Sequence, residues 1–276
     1  MRNWFLLQIS VVASTIALIV WRETRRPLRR RVEPRLRHTF RNGTVGAIAA
    51  GAVHLAETPV VVPFAMLVER RGIGLLSWMA LPTWMKVVIA CVLMDYTLYV
   101  WHVLVHKLPW LWRFHAVHHA DLDLDASTAV RFHFGELIIS IPWRLAQIAL
   151  IGTTPTALVV WQTATLVSIL FHHSNVRLPM ALERILSTVI VTPRMHGIHH
   201  SIVDDQVNSN WSSGLALWDR IHGTFRLDVP QEAITIGVPR LQTPRDVTLQ
   251  RMLVLPFVAR NLNTSPRADR QPRQDA

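Results

Sequence analysis

Fourteen of the 276 residues are histidine, and their spacing is the feature most suited to chemistry. His102 and His106 are four apart, so on a helix both rings leave one face about a turn apart and form a two-ligand clamp for a metal. His115, His118 and His119 follow in His-x-x-His-His spacing, again one helical face. His196, His199 and His200 repeat that spacing behind Thr192-Pro193, where a proline suits the first turn of a helix. His172 and His173 stand at the end of an apolar run, and one of the pair can complete the set. The inventory of two, three, one and three imidazoles divides over two metals with four or five nitrogen ligands each. Neutral imidazole suits iron, zinc, copper and nickel, so ligand type alone leaves the metal open.

Other chemistries lack their signatures. Cys91, the sole cysteine, lies inside an apolar run, which excludes a disulfide framework and a thiolate metal site. A His-Glu-x-x-His zinc-protease pattern, a Gly-x-Ser-x-Gly elbow and a phosphate-binding glycine loop are all absent. Asp95, Asp121, Asp123, Asp125, Glu136 and Asp219 lie near the histidine segments and read as acceptors that orient imidazole N–H groups. For Asp121 to Asp125 a solvated acidic loop is an equal reading.

The elements that must position these side chains are apolar. Half of the residues are hydrophobic and the mean hydropathy is +0.26, which points to a membrane protein. The formal charge of +11 does not imply nucleic acid, because the cations cluster beside apolar runs and read as a positive cytoplasmic face. Trp4 to Trp21 is uncharged and is followed at once by Arg22, Arg25, Arg26, Arg29, Arg30, Arg31, Arg35 and Arg37, a first span with its far end cytoplasmic. A cleaved signal peptide would carry its charge on the other side. Gly43 to Val68, interrupted by His54, Glu57, Pro59 and Pro63, reads as a kinked span or a helix pair whose polar residues face protein. Trp84 to Val105 is a third span, within which Asp95 needs a partner.

Leu137 to Ile151 and Thr156 to Phe171 flank the turn Gly152-Thr153-Thr154-Pro155 as a helical hairpin, whose first arm carries Arg144 and reads as tilted, partly interfacial or snorkelling. Counting crossings from a cytoplasmic Arg-rich stretch puts every histidine cluster on the cytoplasmic side. The chain thus divides into residues 1–41, a span with its Arg-rich segment; residues 42–262, a membrane-embedded domain; and residues 263–276, a polar tail expected to be disordered.

Beyond the histidines, Asp95-Tyr96-x-x-Tyr99-x-x-His102-x-x-x-His106, Leu111-Trp112-Arg113-Phe114-His115-x-Val117-His118-His119, Arg131-Phe132-His133-x-x-Glu136, His173-Ser174-Asn175, Thr192-Pro193-x-x-His196-x-x-His199-His200 and Leu217-Trp218-Asp219-Arg220-x-x-Gly223-Thr224-Phe225 follow in order. This pattern resembles the fatty acid hydroxylase and sterol desaturase superfamily over about Met94 to Phe225. The resemblance implies an all-α polytopic membrane bundle capped by a cytosolic histidine-rich di-metal site. By position it implies His102, His106, His115, His118, His119, His173, His196, His199 and His200 as ligands, with His133, His172, Asp95 and Asp219 beside them. Ile169 stands where fatty acid 2-hydroxylases of the superfamily have a further histidine, which argues against that branch.

The same resemblance implies two iron ions, with zinc able to occupy the site in purified protein, and dioxygen as cosubstrate. It implies hydroxylation or desaturation of a C–H bond in a fatty-acyl, sterol or alkyl lipid drawn from the bilayer. No nucleotide motif is present, so electrons come from a separate donor, a cytochrome b5-like protein or a ferredoxin with its reductase. The expected location is a bacterial inner membrane with the site on the cytoplasmic side. Two non-enzymatic alternatives stand against this reading. A b-type haem carrier explains two or four histidines, not nine, and a zinc transporter would hold its ligands at mid-membrane depth.

Overall fold

The structure, a computed structural model, describes residues 2–258 and Leu262, with side chains from Leu6 onward. The tail at 263–276 lies outside the described residues. Among the described residues the regular elements are all helical, and extended pairing is limited to isolated bridges such as Pro27 with Val176 and Ser201 with Ile236.

Among the described residues five segments are long and apolar enough to cross a membrane: Leu6–Arg25, Arg35–Ser77, Thr83–Lys107, Phe134–Ile151 and Pro155–His173. They contain helices α1 (Arg2–Arg25), α2 (Arg35–Ala52), α3 (Thr58–Arg71), α4 (Thr83–Lys107), α6 (Phe134–Ile151) and α7 (Pro155–His173), and the protein is a polytopic membrane helical bundle. Between α4 and α6 comes α5 (Pro109–His119); after α7 come the short helices α8 (Met180–Leu186), α9 (Pro193–His199), α10 (Asp204–Val207), α11 (Leu217–Ile221) and α12 (Leu249–Val258).

In the second span, read as a kinked span or a helix pair, α2 runs on into α3. A single π-helical turn, Val53–Glu57, joins α2 to α3 without a break, just ahead of Pro59, which cannot donate to the helical ladder. Its 43 residues exceed one bilayer crossing. The excess lies at the α2 end, where His38, Arg41 and Asn42 are buried in the cap. Glu57 faces protein as expected, with Oε1 3.9 Å from Arg144 Nε, whereas His54 is exposed on the outer surface.

Arg144 does not snorkel. Its Nη1 donates to Gln147 Oε1 at 2.8 Å, and its guanidinium sits 4.4 Å over the Trp161 ring. A cation deep in a bilayer costs roughly 3 kcal/mol or more, which an inward partner set reduces. Around it Val61, Ala65 and Val68 of α3, Met94 of α4, Ile148 of α6 and Leu158 of α7 form the main buried apolar cluster. Where the chain turns back, Gly152 ends α6 with φ 79°, Thr154 caps α7 and Pro155 opens it. Gly74 sits so close to that turn that a Cβ there would lie 2.3 Å from Gly152 N. At the other end α5 packs on α12 through Trp112, Val117, Met252 and Leu255.

Candidate metal centre

Four elements bring histidines to one end of the bundle. The last two turns of α4 carry His102 and His106. Leu108-Pro109 turns the chain, and Pro109 at the first position of α5 starts the helix bearing His115, His118 and His119. The end of α7 supplies His172 and His173. Thr192 and Pro193 open α9, which carries His196 and His199 with His200 as its C-cap.

The rings meet in two groups, His102, His106, His115, His119 and His199 in one, His118, His173, His196 and His200 in the other, with the nitrogens of each group within 4.8 Å of one another. His106 is partly exposed and the other eight are buried. The groups touch, since the His119 and His200 rings stack at 4.2 Å. Phe132 lies flat on His118 at 4.4 Å and fixes its plane.

Outward nitrogens dictate the tautomers. His102 Nδ1 is 2.7 Å from the Trp211 carbonyl oxygen, His199 Nδ1 2.8 Å from that of Ser209, and His173 Nδ1 2.8 Å from that of Ile169. A carbonyl only accepts, so each Nδ1 must donate, and each Nε2 of the neutral ring keeps a bare lone pair. His115 Nδ1 is 2.9 Å from Glu136 Oε1, also an acceptor.

His102 Nε2 and His115 Nε2 nevertheless lie 3.2 Å apart, two lone pairs face to face in a buried site. That arrangement repels unless a proton or a metal ion sits between them. In the other group, His173 Nε2 is 3.0 Å from both His118 Nε2 and His196 Nε2, and His200 Nε2 is 3.1 Å from His196 Nε2. A metal with nitrogens at about 2.0–2.1 Å holds neighbouring ligands at right angles roughly 3.0 Å apart. Both nitrogens of His119 and Nε2 of His106 and His199 are buried without a partner. The residues therefore fit a pair of nitrogen-ligated metal ions.

Electrostatics agree with that fit. Burial, then the neighbouring rings, holds His118, His119, His196 and His200 neutral well below the usual imidazole range, and burial lowers His199 to about 3. Neutral rings are the ligand form.

The acids occupy other places than expected. Glu136 alone among the six bonds one of the nine rings. Asp95 accepts from Trp218 Nε1 at 2.7 Å and from Leu215 N, and Asp219 accepts from Trp211 N at 2.8 Å and Ser212 N, so both act through the loop whose carbonyl orients His102. Asp121, Asp123 and Asp125 form no solvated loop; they are buried. Asp121 takes His38 Nε2 at 2.9 Å, Arg41 Nη2 and Asn42 Nδ2, and Asp125 pairs with Arg31. Burial alone would raise the Asp121 carboxyl, but the His38 ring, Arg131 and Arg41 hold it well below the usual range.

His133 stands outside both groups, with Nε2 donating to the Leu253 carbonyl and Nδ1 capping α6 at Gly135 N. His172 also lies outside them; its ring packs 4.1 Å from His196. A cavity of about 70 Å³ opens there between His102, His115, His118 and His172, with Leu98, Trp101, Val105, Phe132 and Ile169 as its apolar wall.

Sequence reasoning missed two supports. His38 is an isolated histidine with no local pattern, and the structural role of Arg131 shows only in space. Arg131 donates to the Val117 and Ala120 carbonyls at the end of α5 and to Asn42 Oδ1.

A polytopic helical bundle with two clustered histidine groups at one end is thus defined by geometry alone. The fatty acid hydroxylase family model matches residues 87–224, a stretch that contains all nine clustered histidines. An ornithine lipid hydroxylase of Rhizobium tropici is 30% identical over 235 residues, 83% of this chain and 70% of that protein. Cholesterol 25-hydroxylase of Rattus norvegicus is 28% identical over 51% of the chain, a match spanning 46% of its own length. Alkylglycerol monooxygenase of Homo sapiens is 27% identical over 59% of the chain and 34% of its own. The chain belongs to the fatty acid hydroxylase family, oxidoreductases that act on lipids. No solved structure matches it.

Proposed function

We propose that this protein is a non-haem di-iron hydroxylase of a membrane lipid. The observation that carries the reading is the facing pair of Nε2 lone pairs on His102 and His115, each ring locked by an acceptor at its Nδ1. One ion would be held by His102, His106, His115, His119 and His199, the other by His118, His173, His196 and His200. When bound, the irons would supply reductive activation of dioxygen, which side chains alone cannot perform.

The chain's own part is positioning. Trp211, Ser209 and Ile169 carbonyls and the Glu136 carboxylate aim the rings. The apolar wall of Leu98, Trp101, Val105 and Ile169 receives a hydrocarbon and keeps bulk water from the reacting carbon. The overall reaction joins one lipid C–H, dioxygen, two electrons and two protons to give a lipid alcohol and water. A separate one-electron donor, a cytochrome b5-like protein or a ferredoxin, supplies the electrons.

The three named relatives oxygenate lipids by name, which favours hydroxylation over desaturation. The extent of the Rhizobium match makes an ornithine-containing or similar amphipathic lipid the first substrate to test. The arginines that follow α1 favour a cytoplasmic site.

Metal analysis of protein from iron-replete cells tests the ligand set. Close to two equivalents of iron are expected per chain, falling in His118→Ala and His199→Ala with loss of turnover. Full occupancy in those variants would remove the assignment.

A further inference from the structure

Arg29 belongs to the Arg-rich stretch that follows the first span, outside the residues the family model matches. Its side chain is nevertheless buried against the metal cap. Nη1 donates to Gln231 Oε1 at 2.6 Å and to the Pro193 carbonyl at 3.3 Å, and Nη2 reaches the Ser174 carbonyl at 3.5 Å. Pro193 opens α9, and Ser174 directly follows His173. One guanidinium therefore spans the two elements that present His173, His196 and His200.

The surrounding segment is tied down to match. Leu28 N donates to the Asn175 carbonyl at 2.9 Å, Arg29 N to Asn175 Oδ1 at 2.7 Å, and Asn175 Nδ2 back to the Arg29 carbonyl at 2.9 Å. Glu23 Oε1 accepts from Asn175 N at 2.8 Å and from Ala126 N at 2.9 Å. The fit extends into the histidine motif itself. A Cβ on Gly197, between His196 and Ile198, would lie 2.2 Å from Arg29 Nη1 and 2.9 Å from Gln231 Oε1. A methyl there would have to push the guanidinium aside.

We infer that Arg29 is a positioning residue for the second metal group, setting α9 against the end of α7 so that His173, His196 and His200 converge. This rests on the two-metal reading above. Three of the second group's four rings stand on the elements Arg29 joins, against only His199 of the first group's five. Its removal should therefore act on one ion rather than both, which a general loss of structure would not do.

The test uses the full-length protein in detergent, measuring bound metal by mass spectrometry and ligand geometry from the visible spectrum after cobalt(II) loading. Arg29→Met should weaken the second site by about 10- to 100-fold, as loss of groups that orient ligands does. Metal content then falls from two equivalents to about one, and part of the cobalt spectrum is lost. In a His118→Ala background, already short of the second ion, Arg29→Met should change the metal content no further. Gly197→Ala, which leaves Arg29 in the chain but displaces its guanidinium, should reproduce the loss, and Arg29→Met/Gly197→Ala should be no worse than Arg29→Met.

Two equivalents of metal with an unchanged cobalt spectrum in Arg29→Met would overturn the inference and leave the two-metal reading standing. Equal loss of both ions together with lost helicity would overturn it too, by making the role a general one. A wild-type chain that binds no metal, or His196→Ala that keeps both ions, would overturn the two-metal reading and this inference with it.

Discussion

His115 shows how a single side chain is made into a ligand here. Its Nδ1 faces Glu136 Oε1 at 2.9 Å, so the ring keeps its other lone pair for the centre of the group. Among the described residues Glu136 is the one carboxylate that bonds any of the nine rings, and its second oxygen is buried without a partner. Removing the acceptor in Glu136→Leu frees the ring to rotate and to change tautomer, so cobalt(II) titration should show the first site weakened by about 10- to 100-fold. Glu136→Gln keeps an acceptor oxygen and should lose far less. An affinity in Glu136→Leu equal to the wild type would show that the tautomer lock does not matter. The spacing of the histidines was readable because a helix converts i, i+3 and i+4 into one face. Glu136 was readable as an acceptor only by proximity, and Asp95 and Asp219, equally near in sequence, turned out to serve the Trp211 loop instead.

At the scale of elements, the histidine helices are held by charges buried between them. Asp121 at the end of α5 gathers His38, Arg41 and Asn42 from the start of α2, and Arg131, bonded to Asn42, ties the α5 terminus to them. Asp121→Asn leaves buried cations without their counter-charge, a change that typically costs about 3–5 kcal/mol. The apparent unfolding midpoint in detergent should drop by roughly 10 °C. A shift of about 1 °C or less would mean that the network is slack. The spans were legible as long apolar runs, and Gly152-Thr153-Thr154-Pro155 as a turn, since αL glycine, N-cap and N1 proline act locally. This acidic network was not, because Asp121, Asp123 and Asp125 look like solvated residues until partners from 80 or more positions away arrive. For the same reason Arg29 and Arg31 looked like charge at a membrane face, and the inward turn of Arg144 depended on Glu57 and Trp161 from other helices.

At the largest scale, the proposed orientation, with the N-terminus outside and the arginines that follow α1 in the cytoplasm, would put the histidine-rich end of the five candidate spans on the cytoplasmic side. Reporter fusions after Arg37, Asp123 and Asp228 should all register cytoplasm. A periplasmic signal after Asp123 would separate α5 from the arginines that tie to its flanking loop and would break the topology. The cavity beside the two histidine groups is walled by Leu98, Trp101 and Val105 of α4 and Ile169 of α7, and there the proposed lipid would be held. In the proposed reaction the oxygen placed on that lipid comes from dioxygen. Iron-loaded protein, reconstituted with a ferredoxin and its reductase and an ornithine-containing lipid, should under ¹⁸O₂ give a lipid alcohol carrying ¹⁸O, with none formed when the electron donor is left out. An alcohol whose oxygen comes from water, or turnover that continues without dioxygen, would rule out the proposed oxygenation.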